Sequence, residues 1–307
     1  MKNKPTFILL SMFIILSIVI AGVKILVSTT NNLYDDSGII FIDQEIIDRI
    51  TISNKSHSSQ LYKVNKSWRI GKQQVFEPKL SLFWNAVNNI QKSELVSENP
   101  KNFNRIGLNE NESTLVQFFL QSTLQEEFLV GKWKPETKTC FIKKINLDQV
   151  FGFTCPYPDI FASNPDMWRN PIISNFPADE LDAIRFSYPS EQFELNLTEK
   201  GWQLDNQDNI NIDSYKIARF ANTTQLLLAD GFLNDSESKD IDFNQSDALI
   251  TLVPKPKAAS RITRLRLKQI DEKRVAVKNG NIPIIYYISI SKAREILLGK
   301  KDFILQE

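Results

Sequence analysis

Hydrophobic and polar positions after residue 40 form a pattern that occurs twice. The segment IDRI at 47–50 and the segment LDAI at 181–184 each begin a run of alternating apolar residues, which predicts a strand. Each is followed, at the same spacing, by a second strand that carries Trp68 or Trp202. The matching order and spacing indicate an internal duplication.

A helix is predicted after each tryptophan strand. Apolar residues at helical spacing occupy 80–90 in the first copy and 217–228 in the second, and alternating segments follow both. Further short matches pair Leu95 with Phe232, Val116 with Ile250 and 141–143 with 275–277. We therefore expect two related units, each a mostly antiparallel sheet with one packed helix.

The predicted fold class is α+β, with a single N-terminal transmembrane helix ahead of the two tandem units. The chain then divides into a cytoplasmic N-terminus at 1–5, a signal-anchor at 6–27, a spacer at 28–40, a first unit at 41–165, a proline-rich connector at 166–178, a second unit at 179–298 and a tail at 299–307.

The anchor prediction rests on residues 6–23, which are almost wholly apolar and long enough as a helix to cross the hydrocarbon layer. Lys2 and Lys4 precede them, which favours a cytoplasmic N-terminus. We expect a single-pass protein of the bacterial inner membrane, in contact with the bilayer through 6–27, with the bulk of the chain outside the cytoplasm. The alternative is a cleaved signal peptide, but no clear cleavage site follows.

The two cysteines, Cys140 and Cys155, both lie in the part expected outside the cytoplasm. A hairpin centred between Leu147 and Asp148 places positions summing to 295 opposite each other, and the two cysteines satisfy that sum. An oxidising compartment then favours a disulfide. The alternative is a pair of buried free thiols.

Catalytic and metal-binding motifs are missing from the sequence. It contains no nucleophile elbow, P-loop, dinucleotide fingerprint or HExxH motif, and His57, the single histidine, is expected in a solvated turn. We expect no enzyme activity, no cofactor and no metal. The balance of 37 basic and 36 acidic residues argues against nucleic-acid binding.

One basic segment is a candidate partner surface. In RITRLRLK at 261–268, a strand places Arg264, Arg266 and Lys268 on one face and Leu265 and Leu267 on the other. The cations suit an anionic lipid, an envelope polymer or an acidic partner. The alternative is the solvated face of a half-buried sheet.

The tryptophans divide into two groups. Trp68, Trp84 and Trp202 occupy strand or helix-stripe positions that predict core packing. Trp133 and Trp168 lie in loop-like segments, where a cleft lined by both would indicate ligand binding.

These motifs together resemble a family of domains of unknown function, DUF4340. The resemblance rests on the order of the two DxI starts, the Trp68 and Trp202 strands, the segments IGL at 106–108, VGK at 130–132 and VF at 150–151, and WRN at 168–170. It covers most of the chain after the anchor and supplies no catalytic residues. The resemblance implies a single-anchor envelope protein, often an auxiliary component of gliding-motility-type ABC transport systems.

The expected function is therefore a membrane-anchored scaffold or accessory protein of an envelope complex, with a membrane or envelope protein as partner, such as ABC transporter subunits. The alternative is a solute- or polymer-binding module with a site between the two units.

Overall fold

The computed structural model describes residues 40–280 and 282–305. Within them the strands are β1 (Arg49–Ser53), β2 (Ser58–Val64), β3 (Ser67–Ile70), β4 (Gln73–Gln74), β5 (Glu94–Ser97), β6 (Thr114–Leu120), β7 (Thr123–Val130), β8 (Thr139–Lys144), β9 (Val150–Thr154), β10 (Ile172–Asn175), β11 (Leu181–Ser187), β12 (Gln192–Thr198), β13 (Gly201–Leu204), β14 (Leu226–Leu228), β15 (Gly231–Phe232), β16 (Ala248–Pro254), β17 (Thr263–Gln269), β18 (Arg274–Asn279) and β19 (Tyr286–Ser289). The α-helices are α1 (Glu77–Asn89), α2 (Ser214–Gln225), α3 (Asp235–Ser238) and α4 (Ile290–Arg294).

Contacts divide this part of the chain into two compact units. The first comprises 40–72 and 77–167, and the second comprises 73–76 and 168–305 without residue 281. Part of the proline-rich stretch predicted as a connector forms β10, which pairs with β14 inside the second unit. The other predicted domain limits stay predictions.

The first unit is an antiparallel sheet covered on one face by α1. Its strands lie in the order β3-β2-β1-β6-β7-β8-β9-β5. The helix buries the stripe of Leu80, Phe83, Trp84 and Val87. Phe83 packs against Phe118 of β6 with ring centroids 6.1 Å apart, so the helix and the central strands share one aromatic core.

The second unit is built in the same way. Its strands lie in the order β13-β12-β11-β16-β17-β18-β19-β15. Asp213 caps the N-terminus of helix α2, and its carboxylate accepts hydrogen bonds from two N–H groups of the first turn. Ile217 and Phe220 of α2 belong to the same core as Leu265 and Leu267 of β17.

The strand order is thus the same in the two units, and so is the register of the central strands. Apolar residues occupy matching positions: Ile50 lies beside Leu61 and Phe118, and Ile184 lies beside Leu195 and Leu252. The register changes one sequence match. Ile142 pairs with Val130, the last inward-facing residue of β7. Val277 pairs with Leu267, the last inward-facing residue of β17, so Ile142 corresponds to Val277. The earlier match of 141–143 with 275–277 is therefore wrong by one residue.

The expected fold class is wrong. The structure is mostly antiparallel sheet, with 40% strand and 22% helix, rather than an α+β fold led by a transmembrane helix. In residues 40–280 and 282–305, no helix has the length and apolar character to cross a membrane. The longest of them, α1, has 13 residues, whereas a span requires about 20. The segment 6–27, predicted as the anchor, lies outside the described residues.

Candidate functional site

A groove of about 710 Å³ lies in the first unit, on the sheet face that α1 does not cover. Phe141 of β8 and Gly152 of β9 face each other on its floor. Their neighbours in the pleat, Cys140 and Phe153, are buried on the opposite face. Val96 of β5 lines one side of the groove, and a mixed apolar and polar surface results.

Gly152 keeps the floor of the groove open. A Cβ atom at this position would lie 2.9 Å from Val96 Cγ2 and 3.3 Å from Thr139 Cγ2. The backbone at Gly152 is ordinary strand, so space rather than conformation favours glycine there.

The corresponding place in the second unit is filled. By strand pairing, Ala276 and Tyr287 occupy the positions of Phe141 and Gly152. The Tyr287 ring lies over Gly231, where any Cβ atom would overlap it. Ala276 is completely buried, in a small apolar cluster with residues that follow β15. The groove is therefore a difference between two otherwise similar units.

Cations surround the groove of the first unit. Lys92, Arg105, Lys132 and Lys134 line it, with Glu94 as its carboxylate. Lys132 is engaged, because its Nζ lies 2.7 Å from Glu112 Oε1. That hydrogen bond holds the pKa of Glu112 below its ordinary value.

The other three cations have no such neutralising contact. None of the residues that the structure describes forms an ion pair with Lys92, Arg105 or Lys134. The groove therefore carries excess positive charge beside an aromatic floor, which suits a ligand that combines carboxylate and apolar groups.

Trp133 forms a wall of the groove, and its indole is hydrogen-bonded to the backbone of Cys155. Its indole Nε1 donates a hydrogen bond of 2.8 Å to the carbonyl oxygen of Cys155. The N–H of Cys155 donates in turn to the carbonyl oxygen of Lys138 at 2.8 Å. The position of the aromatic wall therefore depends on the backbone at Cys155.

Cys140 and Cys155 lie at disulfide distance, with Cα atoms 5.4 Å apart, and both are buried. The predicted register is wrong, however. Cys140 faces Phe153, and Cys155 lies just beyond the end of β9, diagonal to Cys140. The loop between β8 and β9 is centred one residue earlier than expected, so paired positions sum to 293.

The basic segment forms β17 as predicted from its alternation, with Leu265 and Leu267 buried. Lys268 is neutralised, since its Nζ lies 2.9 Å from Asp247 Oδ1. Arg264 and Arg266 have no ion-pair partner among the described residues, and Arg266 faces Lys278 of β18. Sequence reasoning missed Lys278 because the pairing of β17 with β18 was not known.

The remaining candidate residues from the sequence, Trp168 and His57, lie outside the groove. Trp168 is fully buried in the second unit and does not line the groove, so the two loop tryptophans do not share a cleft. His57 is exposed in the turn between β1 and β2. Across 40–280 and 282–305, no group of three or more His, Cys, Asp or Glu side chains is placed to hold a metal ion.

Sequence reasoning singled out Trp133 but not the groove itself. The run KWKP at 132–135 combines an aromatic ring with two cations, and this was the available signal. Gly152 and Lys92 carried no such signal, because their contribution depends on the pairing of β5 with β9.

Comparison with known proteins gives one match. No curated protein and no solved structure matches the chain. The family model described as a domain of unknown function, DUF4340, matches residues 72–246, which is more than half of the 307 residues. The chain therefore belongs to the DUF4340 family.

Proposed function

We propose that this protein is a non-enzymatic accessory protein of an envelope complex, which holds an acidic segment of a partner protein in the groove of its first unit. The observation that carries the proposal is the groove itself, in which an aromatic floor lies beside three cations that form no ion pair with any residue the structure describes. The link to an ABC-type transport system remains what the family resemblance implies.

A peptide suits this groove better than a uniformly charged polymer does. The groove presents apolar surface from Phe141, Trp133 and Val96. A ligand that carries only carboxylates would leave this surface exposed to water. Strand β5 lies at the edge of the sheet and pairs with β9 on one side. Its free edge offers main-chain hydrogen bonds to an extended segment, as in strand addition. Binding of an anionic polymer is the outcome that would favour the alternative function.

The location outside the cytoplasm, at the inner membrane, belongs to the same proposal. It is supported by the buried Cys140–Cys155 pair, since disulfides persist in oxidising compartments. Contact with the bilayer through 6–27 stays a prediction. A C-terminal alkaline phosphatase fusion, which is active only outside the cytoplasm, tests this placement. An inactive but stable fusion would contradict it.

Binding is tested with a fluorescent peptide in which Glu and Phe alternate, and the full chain purified in detergent. Replacing Lys92, Arg105 and Lys134 by Gln removes three exposed charges, each worth about 0.5 kcal/mol in an exposed ion pair. The expected loss of affinity is about tenfold, and it diminishes in high salt. A matched control replaces Lys55, Lys66 and Lys72 by Gln, near the other end of the sheet.

A second variant closes the groove without changing its cations. Glu94→Gly and Val96→Ala, combined with Gly152→Tyr, copy the Gly231 and Tyr287 arrangement of the second unit and remove Val96 Cγ2, which a Cβ atom at 152 would otherwise meet at 2.9 Å. We expect a folded protein that no longer binds the peptide. Unchanged binding by this variant, or equal affinity of the charge variant and its control, would refute the proposal. Tighter binding of a sulfated polysaccharide than of the peptide would assign the groove to a polymer.

A further inference from the structure

The outer face of strands β17 and β18 holds three cations close together. Arg266 of β17 lies directly opposite Lys278 of β18, and Arg264 follows two positions along β17 on the same face. Like charges opposite each other on neighbouring strands repel. In the part of the chain that the structure describes, no carboxylate forms an ion pair with any of the three.

This arrangement contrasts with the cations around it. Lys268 pairs with Asp247, and Arg274 pairs with both Asp271 and Glu237. Carboxylates are therefore present on the same unit and neutralise adjacent positions. Lys278 Nζ lies 5.9 Å from the centroid of the Phe243 ring, but no carboxylate of the described residues neutralises any of the three cations, so the site can accept an anion from outside the chain.

Exposed isoleucines border these cations. Ile262 precedes β17 and is 46% exposed, and Ile282 follows β18 and is 40% exposed. The N–H of Gly280 donates to the carbonyl oxygen of Arg264, which holds the loop carrying Ile282 beside the start of β17. Arg261, also exposed, adds a further positive charge at this end of the sheet.

We propose that this surface, formed by Arg264, Arg266, Lys278, Ile262 and Ile282, contacts the headgroups of an anionic phospholipid bilayer. Guanidinium and ammonium groups bind the lipid phosphates, and the two isoleucines enter the interfacial layer. Strands β17 and β18 are each paired on both sides, so this face offers no main-chain edge to an extended acidic segment, whereas lipid phosphates need only the side-chain cations. The inference is independent of the groove in the first unit.

The test uses hydrogen exchange of the full chain in nanodiscs of phosphatidylcholine alone or with phosphatidylglycerol. In the anionic discs we expect exchange in the segments at 257–262 and 282–285 to slow by about tenfold or more, an effect that half-molar salt reverses. The local readout separates this surface from any membrane contact made elsewhere in the chain.

The test variant replaces Arg264, Arg266 and Lys278 by Gln and should lose the protection. The control removes the same charge at three exposed cations, Arg219, Arg294 and Lys301, from segments packed on the other face of the sheet. Equal exchange in neutral and anionic discs would overturn the proposal, as would protection that survives in the test variant. Protection of the same loops by soluble poly-glutamate without lipid would overturn the choice of lipid.

Discussion

Removal of the cross-link between Cys140 and Cys155 should destabilise the first unit. The two residues are 15 positions apart, and closing a loop of this length restricts the unfolded chain by about 3 kcal/mol. The equivalent residues of the second unit are Val275 and Ile290, which are uncharged and apolar. Replacing the cysteines by Val and Ile therefore removes the bond while keeping the position filled.

The measurement is urea unfolding of the full chain, in which the transition of the first unit is followed. With a denaturant dependence of about 2 kcal/mol per molar, a loss of about 3 kcal/mol lowers the midpoint by about 1.5 M. Reductant should lower the midpoint of the unchanged protein by a similar amount and leave that of the variant unaffected. Because Trp133 donates to the Cys155 carbonyl oxygen, its fluorescence should report the change.

Two results would refute this reasoning. One is a midpoint of the unchanged protein that does not respond to reductant. The other is the labelling of two thiols by an alkylating reagent in the native, unreduced protein, which would show that the cysteines are not bonded. Intact mass measured with and without reductant provides an independent check.

Three further changes have defined outcomes. Phe118→Ala should destabilise the first unit by about 3–5 kcal/mol in urea unfolding, because this ring is fully buried among other aromatic rings; a loss below about 1 kcal/mol would contradict that packing. Gly107→Ala should cost about 1–3 kcal/mol, since Gly107 has φ +73° and its Cβ would lie 2.8 Å from the backbone nitrogen of Lys132; thermal unfolding measures this, and no change would contradict it. Burial raises the pKa of Asp205, but hydrogen bonds from Lys300 and a backbone N–H outweigh burial and lower it. Asp205→Asn should therefore destabilise the second unit by about 1 kcal/mol at neutral pH, and the difference should vanish as pH falls below about 4; an undiminished difference at pH 2 would be evidence against the Lys300 contact.

Local patterns in the sequence predicted individual elements well. The alternation at 261–268 gave the buried and exposed faces of β17, and the stripe at 80–90 gave the helix α1. These elements depend on neighbouring residues, whose periodicity is visible in one dimension. The fold class failed because the balance of strand and helix depends on many short strands, several of only two to four residues.

The groove required information that the sequence alone does not contain. The sequence predicts a loop-like segment around Trp133, but the hydrogen bond from Trp133 to Cys155 joins positions 22 residues apart. The opening at Gly152 became visible only when register placed it opposite Glu94 and Phe141. The cysteine pairing failed in register because moving the centre of a hairpin loop by one residue shifts the sum of paired positions by two.

The order of the strands also determines how this chain can be shortened. A fragment limited to the family match at 72–246 keeps β6 but loses β1, its neighbour in the first sheet, and keeps β11 but loses β16, its neighbour in the second. Both retained strands would present an unpaired edge and bare apolar side chains to solvent, a combination that promotes aggregation. The fragment 72–246 should therefore not fold by itself. Truncations that keep every strand of a sheet should express as soluble protein where this fragment does not.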